Sequence, residues 1–132
     1  MRPQTIRLLD ADVMIDVQRR HPAAVAWYAS LSTGSIALPG HVLMELYQSA
    51  QNRQQIIAVD RLTRFLPLIW PTDAECLEAV RNFRLLHLSH SLGLIDALIA
   101  ATALSLNAPL CTFNVKHFRA VPGLVTEQPY QR

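Results

Sequence analysis

Ile6-Arg7-Leu8-Leu9-Asp10-Ala11-Asp12-Val13-Met14-Ile15-Asp16 is the stretch whose reading decides the fold. Its first residues, Ile6 to Leu9, read as a short buried strand, and a helical start follows from Asp12 to about Gln18. A strand running straight into a helix is the opening of a βαβ unit. Asp10 stands at the junction. In open parallel sheets, ligands bind beyond the carboxyl ends of the strands, so this acid falls where chemistry is commonly done.

Outward from this unit the alternation repeats. Pro22 suits the first turn of a second helix, Ala23 to Leu31. Ser32-Thr33-Gly34 is a turn, Ser35 to Leu38 a strand, and Pro39-Gly40 a break before a helix from His41 to about Ala50. Gln51 to Gln55 is a polar interruption, after which Ile56, Ile57, Leu62, Phe65 and Leu66 mark another amphipathic helix. Leu68-Ile69-Trp70 is a third strand. Thr72-Asp73-Ala74-Glu75 has the capping-box pattern and opens a helix with Glu75 and Glu78 early and Arg81, Arg84 and His87 late. That order complements the helix dipole, which is a sufficient structural reason for those charges. Ser89 to Gly93 is a loop, and Leu94 to Leu106 is a helix apolar nearly all round, hence central. Pro109 to Thr112 is a fourth strand, Val115 to Arg119 a short helical turn, and Leu124-Val125-Thr126 a last strand. The pattern predicts an α/β sandwich with a mostly parallel central sheet of four to five strands, in one domain over residues 1–132.

Hydrophobic residues make up 51% of the 132, which excludes a disordered chain and suffices for a single core. No apolar run approaches the roughly 20 residues that span a bilayer. Met1-Arg2-Pro3-Gln4-Thr5 leads into the first strand without a signal-peptide core. Cys76 and Cys111 lack metal-type spacing and are expected as buried free thiols in a reducing cytoplasm. The net charge is only +2, with Lys116 the single lysine among twelve basic residues. Arginine forks suit phosphate, but GC-rich coding produces the same bias, so charge alone decides nothing.

Three acids sit alone inside apolar runs: Asp10, Glu45 within Val42-Leu43-Met44-Glu45-Leu46-Tyr47, and Asp96 within Leu94-Ile95-Asp96-Ala97-Leu98-Ile99. A carboxylate beside a core is costly unless its charge is compensated. No Lys or Arg lies in the last two runs, and Arg7 points away from Leu8 if the first is a strand. A bound cation is one compensation, and carboxylates that hold a cation suggest chemistry on phosphate. Each acid also has an ordinary reading. Asp10 is able to accept backbone N–H bonds in the next turn, Asp12 to cap the following helix, and Glu45 to pair with an arginine from another element. Asp96 is hardest to dismiss, as the one charge in an otherwise apolar helix. The α/β order brings Asp10 and Asn114 to the same sheet edge.

Leu8-Leu9-Asp10-Ala11-Asp12-Val13-Met14-Ile15-Asp16 resembles the opening of PIN-domain proteins, especially VapC-type toxins of toxin–antitoxin pairs. Met44-Glu45-Leu46-Tyr47-Gln48-Ser49-Ala50 is similar to their second motif. Gly93-Leu94-Ile95-Asp96-Ala97-Leu98-Ile99-Ala100-Ala101-Thr102-Ala103-Leu104 is similar to the third and is the most specific segment. Leu110-Cys111-Thr112-Phe113-Asn114-Val115-Lys116-His117-Phe118 resembles the closing motif, and the likeness covers essentially the whole chain. It implies a three-layer α/β/α sandwich with Asp10, Glu45 and Asp96 as the principal site residues and metal ligands. It places Asn114 where the wider family often has Asp, so Asn114 either orients a metal or its water or serves as a helix cap. Asp12 and Thr112 take supporting positions, holding the site or the substrate phosphate. Many relatives carry Asp where this chain has His117; the departure argues against a second-metal role there, and His117 reads as a surface residue. Asp16 reads as solvated or capping.

Three carboxylates and an amide are hard oxygen donors, which select Mg²⁺, with Mn²⁺ as a substitute, over Zn²⁺. The resemblance implies a metal-dependent endoribonuclease that cuts RNA by in-line attack of metal-activated water. It further implies a cognate VapB-type antitoxin and a homodimer, or a heterotetramer or larger assembly with that antitoxin. Gln48 to Leu66 is a candidate wall for the antitoxin groove, although an apolar helical stripe ordinarily packs on the core. The alternative is a PIN module that binds RNA or a protein partner without cutting. A haloacid-dehalogenase-type phosphatase would place a hydroxyl residue where Met14 stands. A receiver domain fits the length, yet its mid-chain Asp and late-strand Lys are not convincingly placed.

Overall fold

The computed structural model describes residues 6–32 and 34–132. The expectations for Met1 to Thr5 and for Thr33 in the turn lie outside them. The elements run β1 (Arg7–Leu9), α1 (Ala11–Gln18), α2 (Pro22–Ala29), β2 (Ile36–Pro39), α3 (Gly40–Ser49) and α4 (Arg53–Thr63). Then come β3 (Leu68–Ile69), α5 (Asp73–His90), α6 (Leu94–Leu106), β4 (Leu110–Cys111), α7 (Val115–Phe118) and β5 (Thr126–Glu127). The five strands form one sheet in the order β3-β2-β1-β4-β5, and every pairing is parallel. The expected α/β class and strand number hold, and the sheet is wholly rather than mostly parallel.

This order has a switch point. From β1 the chain adds β2 and β3 on one side, then returns across the sheet to add β4 and β5 on the other. Right-handed crossovers put helices that move one way on one face and those that move back on the opposite face. The packing agrees: α1 contacts α2, α3 and α4, and α6 contacts α5 and α7, with α3 and α6 meeting between the two groups. β1 lies between β2 and β4 in the register Leu8↔Leu110 and Leu9↔Cys111. Leu8, Leu9, Leu38 and Leu110 are fully buried on this central stretch, with Ile99 of α6 and Phe118 of α7 in the same core. A sheet covered on both faces needs apolar residues at successive strand positions, and β2 is buried at all four.

Several boundaries differ from the sequence reading for local reasons. Asn52 caps α4 by accepting the Gln55 N–H at 2.9 Å, so the helix starts inside the supposed polar interruption. α5 continues through Ser89 and His90 and ends on Ser91 in the left-handed region at φ 57°, shortening the expected loop to three residues before α6. The last strand is displaced to Thr126–Glu127, where β4 supplies the pairing partners Leu110 and Cys111. Thr72 does cap α5, its hydroxyl accepting the Glu75 N–H and donating to Glu75 Oε1. Cys111 is buried, Cys76 is half-buried, and both are free thiols. Among the described residues, no helix is long and apolar enough to cross a membrane.

Candidate functional site

Asp10 follows β1 and Thr112 follows β4, so both stand at the carboxyl ends of the two strands that flank the switch point. This is where an open parallel sheet leaves a crevice. The Asp10 N–H is tied to the Cys111 carbonyl at 3.0 Å, which continues the β1–β4 ladder one residue past the strand. Asp10 is also the N-cap of α1: Oδ1 accepts the Ala11 N–H at 2.8 Å and Oδ2 accepts the Thr112 hydroxyl at 2.7 Å. The Thr112 oxygen accepts the Asn114 N–H at 3.0 Å in turn. The capping role belongs to Asp10, and Asp12 sits inside the first turn. Asp12 Oδ1 accepts the Val13 N–H and Oδ2 accepts the Phe113 N–H, each at 2.8 Å, lacing α1 to the loop after β4.

Electrostatically the cleft is overloaded with one sign. Asp10 is 4% exposed, and its carboxyl is pushed up to about 7, first by burial and next by the charge of Asp12. The bonds from Thr112 and Ala11 pull it down, and Glu45 pushes it up again. The Asp12 carboxyl is raised by burial against the bonds from Phe113 and Val13 and the charge of Arg132. Glu45 arrives from the middle of α3 and Asp96 from the first turn of α6, two helices that pack together. Burial raises Glu45 most, then the charges of Asp96 and Asp12. Glu45 Oε1 is buried without a hydrogen-bond partner, and among the described residues the pairing with an arginine considered for it is not made. A buried carboxylate oxygen left unpaired is costly.

Asp96 is doubly used. Oδ2 accepts the Gly93 N–H at 3.1 Å, closing the first turn of α6, and it also lies 3.5 Å from Nδ1 of His117. Gly93 allows that arrangement: a Cβ there would come within 2.8 Å of Asp96 Oδ2. His117, expected at the surface, is half-exposed but turned onto Asp96. Asn114 is exposed at the start of α7 and its side chain makes no capping bond, so the helix-cap reading is not what its amide does.

The structure thus brings Asp10, Asp12, Glu45, Asp96, Thr112 and Asn114 to one end of the sheet, with His117 added. As placed, no three His, Cys, Asp or Glu side chains among the described residues gather closely enough to cage an ion. The donor set is nonetheless all hard oxygen apart from His117, and the unpaired Glu45 Oε1 is an open acceptor within it. Such donors suit a Mg²⁺-type cation. The tail supplies a flank that the sequence reading missed. Asp16 accepts from the Tyr130 hydroxyl at 2.8 Å and from Arg132 Nε at 2.9 Å, and the Arg132 guanidinium lies 4.2 Å above the Phe113 ring. Burial works against the Asp16 carboxyl, but these two bonds outweigh it and hold the group below its ordinary range. No local pattern announces the two bonds to Asp16, because they join positions more than a hundred residues apart.

Comparison with known proteins agrees with this fold. Residues 7–124 match the family model of the PIN domain. The chain is similar to Ribonuclease VapC1 of Haemophilus influenzae strain R2866, 31% identical over 126 residues that cover 90% of this chain and 94% of the relative. It is 28% identical over 130 residues to Ribonuclease VapC19 of Mycobacterium tuberculosis H37Rv, covering 95% of this chain and 100% of that relative. Among solved structures it superposes on a chain of VapBC2 from Rickettsia felis bound to promoter DNA, with a TM-score of 0.76 and 25% identity over 92% of this chain and 97% of that one. The chain belongs to the PIN domain family.

Proposed function

We propose that this protein is an endoribonuclease toxin that hydrolyses RNA phosphodiester bonds with the help of Mg²⁺ or Mn²⁺ held by Asp10, Glu45 and Asp96. One observation carries the reading. Asp10 is buried, and the charged side chains that act on it most strongly are acids, Asp12 and Glu45. Acids converging on a buried carboxyl invite a cation from solution. The relatives named as ribonucleases cover nearly the whole chain, which supports RNA as the substrate. When bound, such an ion lowers the pKa of a coordinated water and offsets charge on the phosphoryl oxygens.

The chain's own groups divide the remaining work. Asp10 is held in one direction by the Ala11 N–H and the Thr112 hydroxyl, which makes it the fixed oxygen donor. Glu45, with Oε1 buried and unpaired, is the acceptor free to turn to the ion or to its water. Asp12 keeps the loop after β4 against α1 through Phe113. Asn114 offers its uncapped amide at the rim, where a substrate phosphate or the ion's water would need a neutral partner. Purified protein given Mn²⁺ or Mg²⁺ is expected to cut cellular RNA, leaving 5′-phosphate and 3′-hydroxyl ends, and Asp96→Asn to abolish it. No cutting, or cutting by Asp96→Asn at the wild-type rate, overturns the reading. RNA binding without cutting would establish the non-catalytic module instead.

A VapB-type antitoxin is the partner this reading requires, since the solved relative is a VapBC complex. The segment from Gln48 to Leu66 leaves Ile56, Ile57 and Phe65 exposed, the last at 83%. Exposed apolar side chains on one stretch suit a partner more than a core. The assembly proposed is a homodimer, or a heterotetramer or larger with the antitoxin, working in the cytoplasm. Co-purification with the product of an adjacent small gene is the check.

A further inference from the structure

We propose that His117 is itself a ligand of the cation bound at Asp96, and that its nitrogen tilts the site toward Mn²⁺ and other first-row transition ions over Mg²⁺. The inference rests on the metal reading above and adds to it a residue whose type the acidic set does not include. His117 Nδ1 lies 3.5 Å from Asp96 Oδ2. That is long for an N–H···O bond. Adjacent donors on one octahedral ion, each at ~2.1 Å, stand roughly 3 Å apart, so a small ring rotation brings Nδ1 and Oδ2 onto a shared ion.

The placement of His117 is fixed rather than casual. α7 is a single turn whose buried Phe118 anchors it in the core, and it packs on α6, which carries Asp96. Its start is set by the Asn114 N–H bonded to Thr112, the residue whose hydroxyl holds Asp10. The network that aims Asp10 therefore also sets His117. The Asp96 and His117 side chains are 20% and 45% exposed, so an ion reaches the pair from solvent. The other histidines are engaged elsewhere: His21 against Tyr130, His41 against Trp70, His87 against Phe83, and His90 against the Ser89 hydroxyl. Imidazole suits transition ions, whereas Mg²⁺ is served by oxygen alone.

The test is pulsed EPR on the full chain loaded with Mn²⁺, with His117→Gln and His117→Asp beside wild type. Wild type should show ¹⁴N modulation from a directly bound imidazole, and both variants should lose it while circular dichroism shows them folded. Mn²⁺ affinity should fall by at least about tenfold in His117→Gln, the loss usual when a supporting group at a metal site is removed, with Mg²⁺ affinity changed far less. Stoichiometric Mn²⁺ binding without ¹⁴N modulation, or modulation that survives in His117→Gln, overturns the role of His117 and leaves the acidic site standing. Failure of wild type to bind Mn²⁺ overturns both.

Discussion

Asp10 shows how a candidate site residue works against its own fold. Its carboxyl has an ordinary value of 3.8 and is pushed up to about 7 in the folded chain. A group raised in the folded state contributes stability that is fully present below the unfolded value and is lost as pH rises through the folded one. In metal-free protein, Asp10 therefore costs stability above about pH 7. Asp10→Asn removes the charge, so in chelator at pH 8 it should unfold at higher urea, by about 1–3 kcal/mol. The advantage should shrink toward pH 5, and the variant should cut no RNA. Equal urea midpoints for the two proteins at pH 8 would contradict the burial account. Gly93 is the second residue with a sharp expectation. Its Cβ would meet only the tip of the Asp96 side chain, so the fold tolerates Gly93→Ala but the carboxylate must move. Cleavage should drop about 10²-fold, as misplacement of a reacting group does, while stability changes by about 1 kcal/mol or less. Asp10 and Asp96 stood out in the sequence because each is a lone charge among apolar neighbours. Gly93 and Arg132 did not, and His117 was read as a surface residue, since each matters through a contact and not through its own neighbours in sequence.

Elements carry these side chains only as well as their ends are seated. α3 brings Glu45, and its first residue, Gly40, packs directly under Trp70 at the end of β3, where a Cβ would lie 2.2 Å from the indole ring. The atoms met belong to the rigid, half-exposed indole ring, which also meets His41 edge-on, so the ring must swing as a whole and give up that contact to admit a methyl group. Gly40→Ala should therefore destabilise by about 1–3 kcal/mol, the usual cost of overpacking. Thermal melts are the measure, and Gly40→Ala combined with Trp70→Leu should recover part of the loss. If Gly40→Ala alone melts with wild type, the close approach does not hold α3. The sequence marked Pro39-Gly40 as a break, and the break is real, but its purpose lies in the Trp70 contact across β2 and β3. α5 was legible through its capping box, whereas its far end was not, because Ser91 adopts the left-handed conformation that glycine ordinarily takes.

At the scale of the molecule, a cation should bind two halves of the sheet together. Asp10 follows β1, Glu45 comes from the α3 side and Asp96 from the α6 side. A ligand that binds only the folded chain stabilises it by RT ln(1 + [L]/Kd), or about 2.7 kcal/mol at 100 times Kd. Mn²⁺ at that level should raise the melting temperature of wild type and leave Asp10→Asn nearly unmoved; an equal rise in both would place the ion elsewhere. By itself the sequence determined the alternation of strands and helices and three acids in apolar runs. Those are local matters of periodicity, capping and burial, readable within a few residues of each position. The tertiary structure alone decided which distant positions meet. The β1–β4 pairing joins Asp10 to Thr112, the Asp12–Phe113 bond seals the same junction, and α7 turns His117 onto Asp96. Such contacts depend on strand order and crossover handedness, which no window of sequence contains.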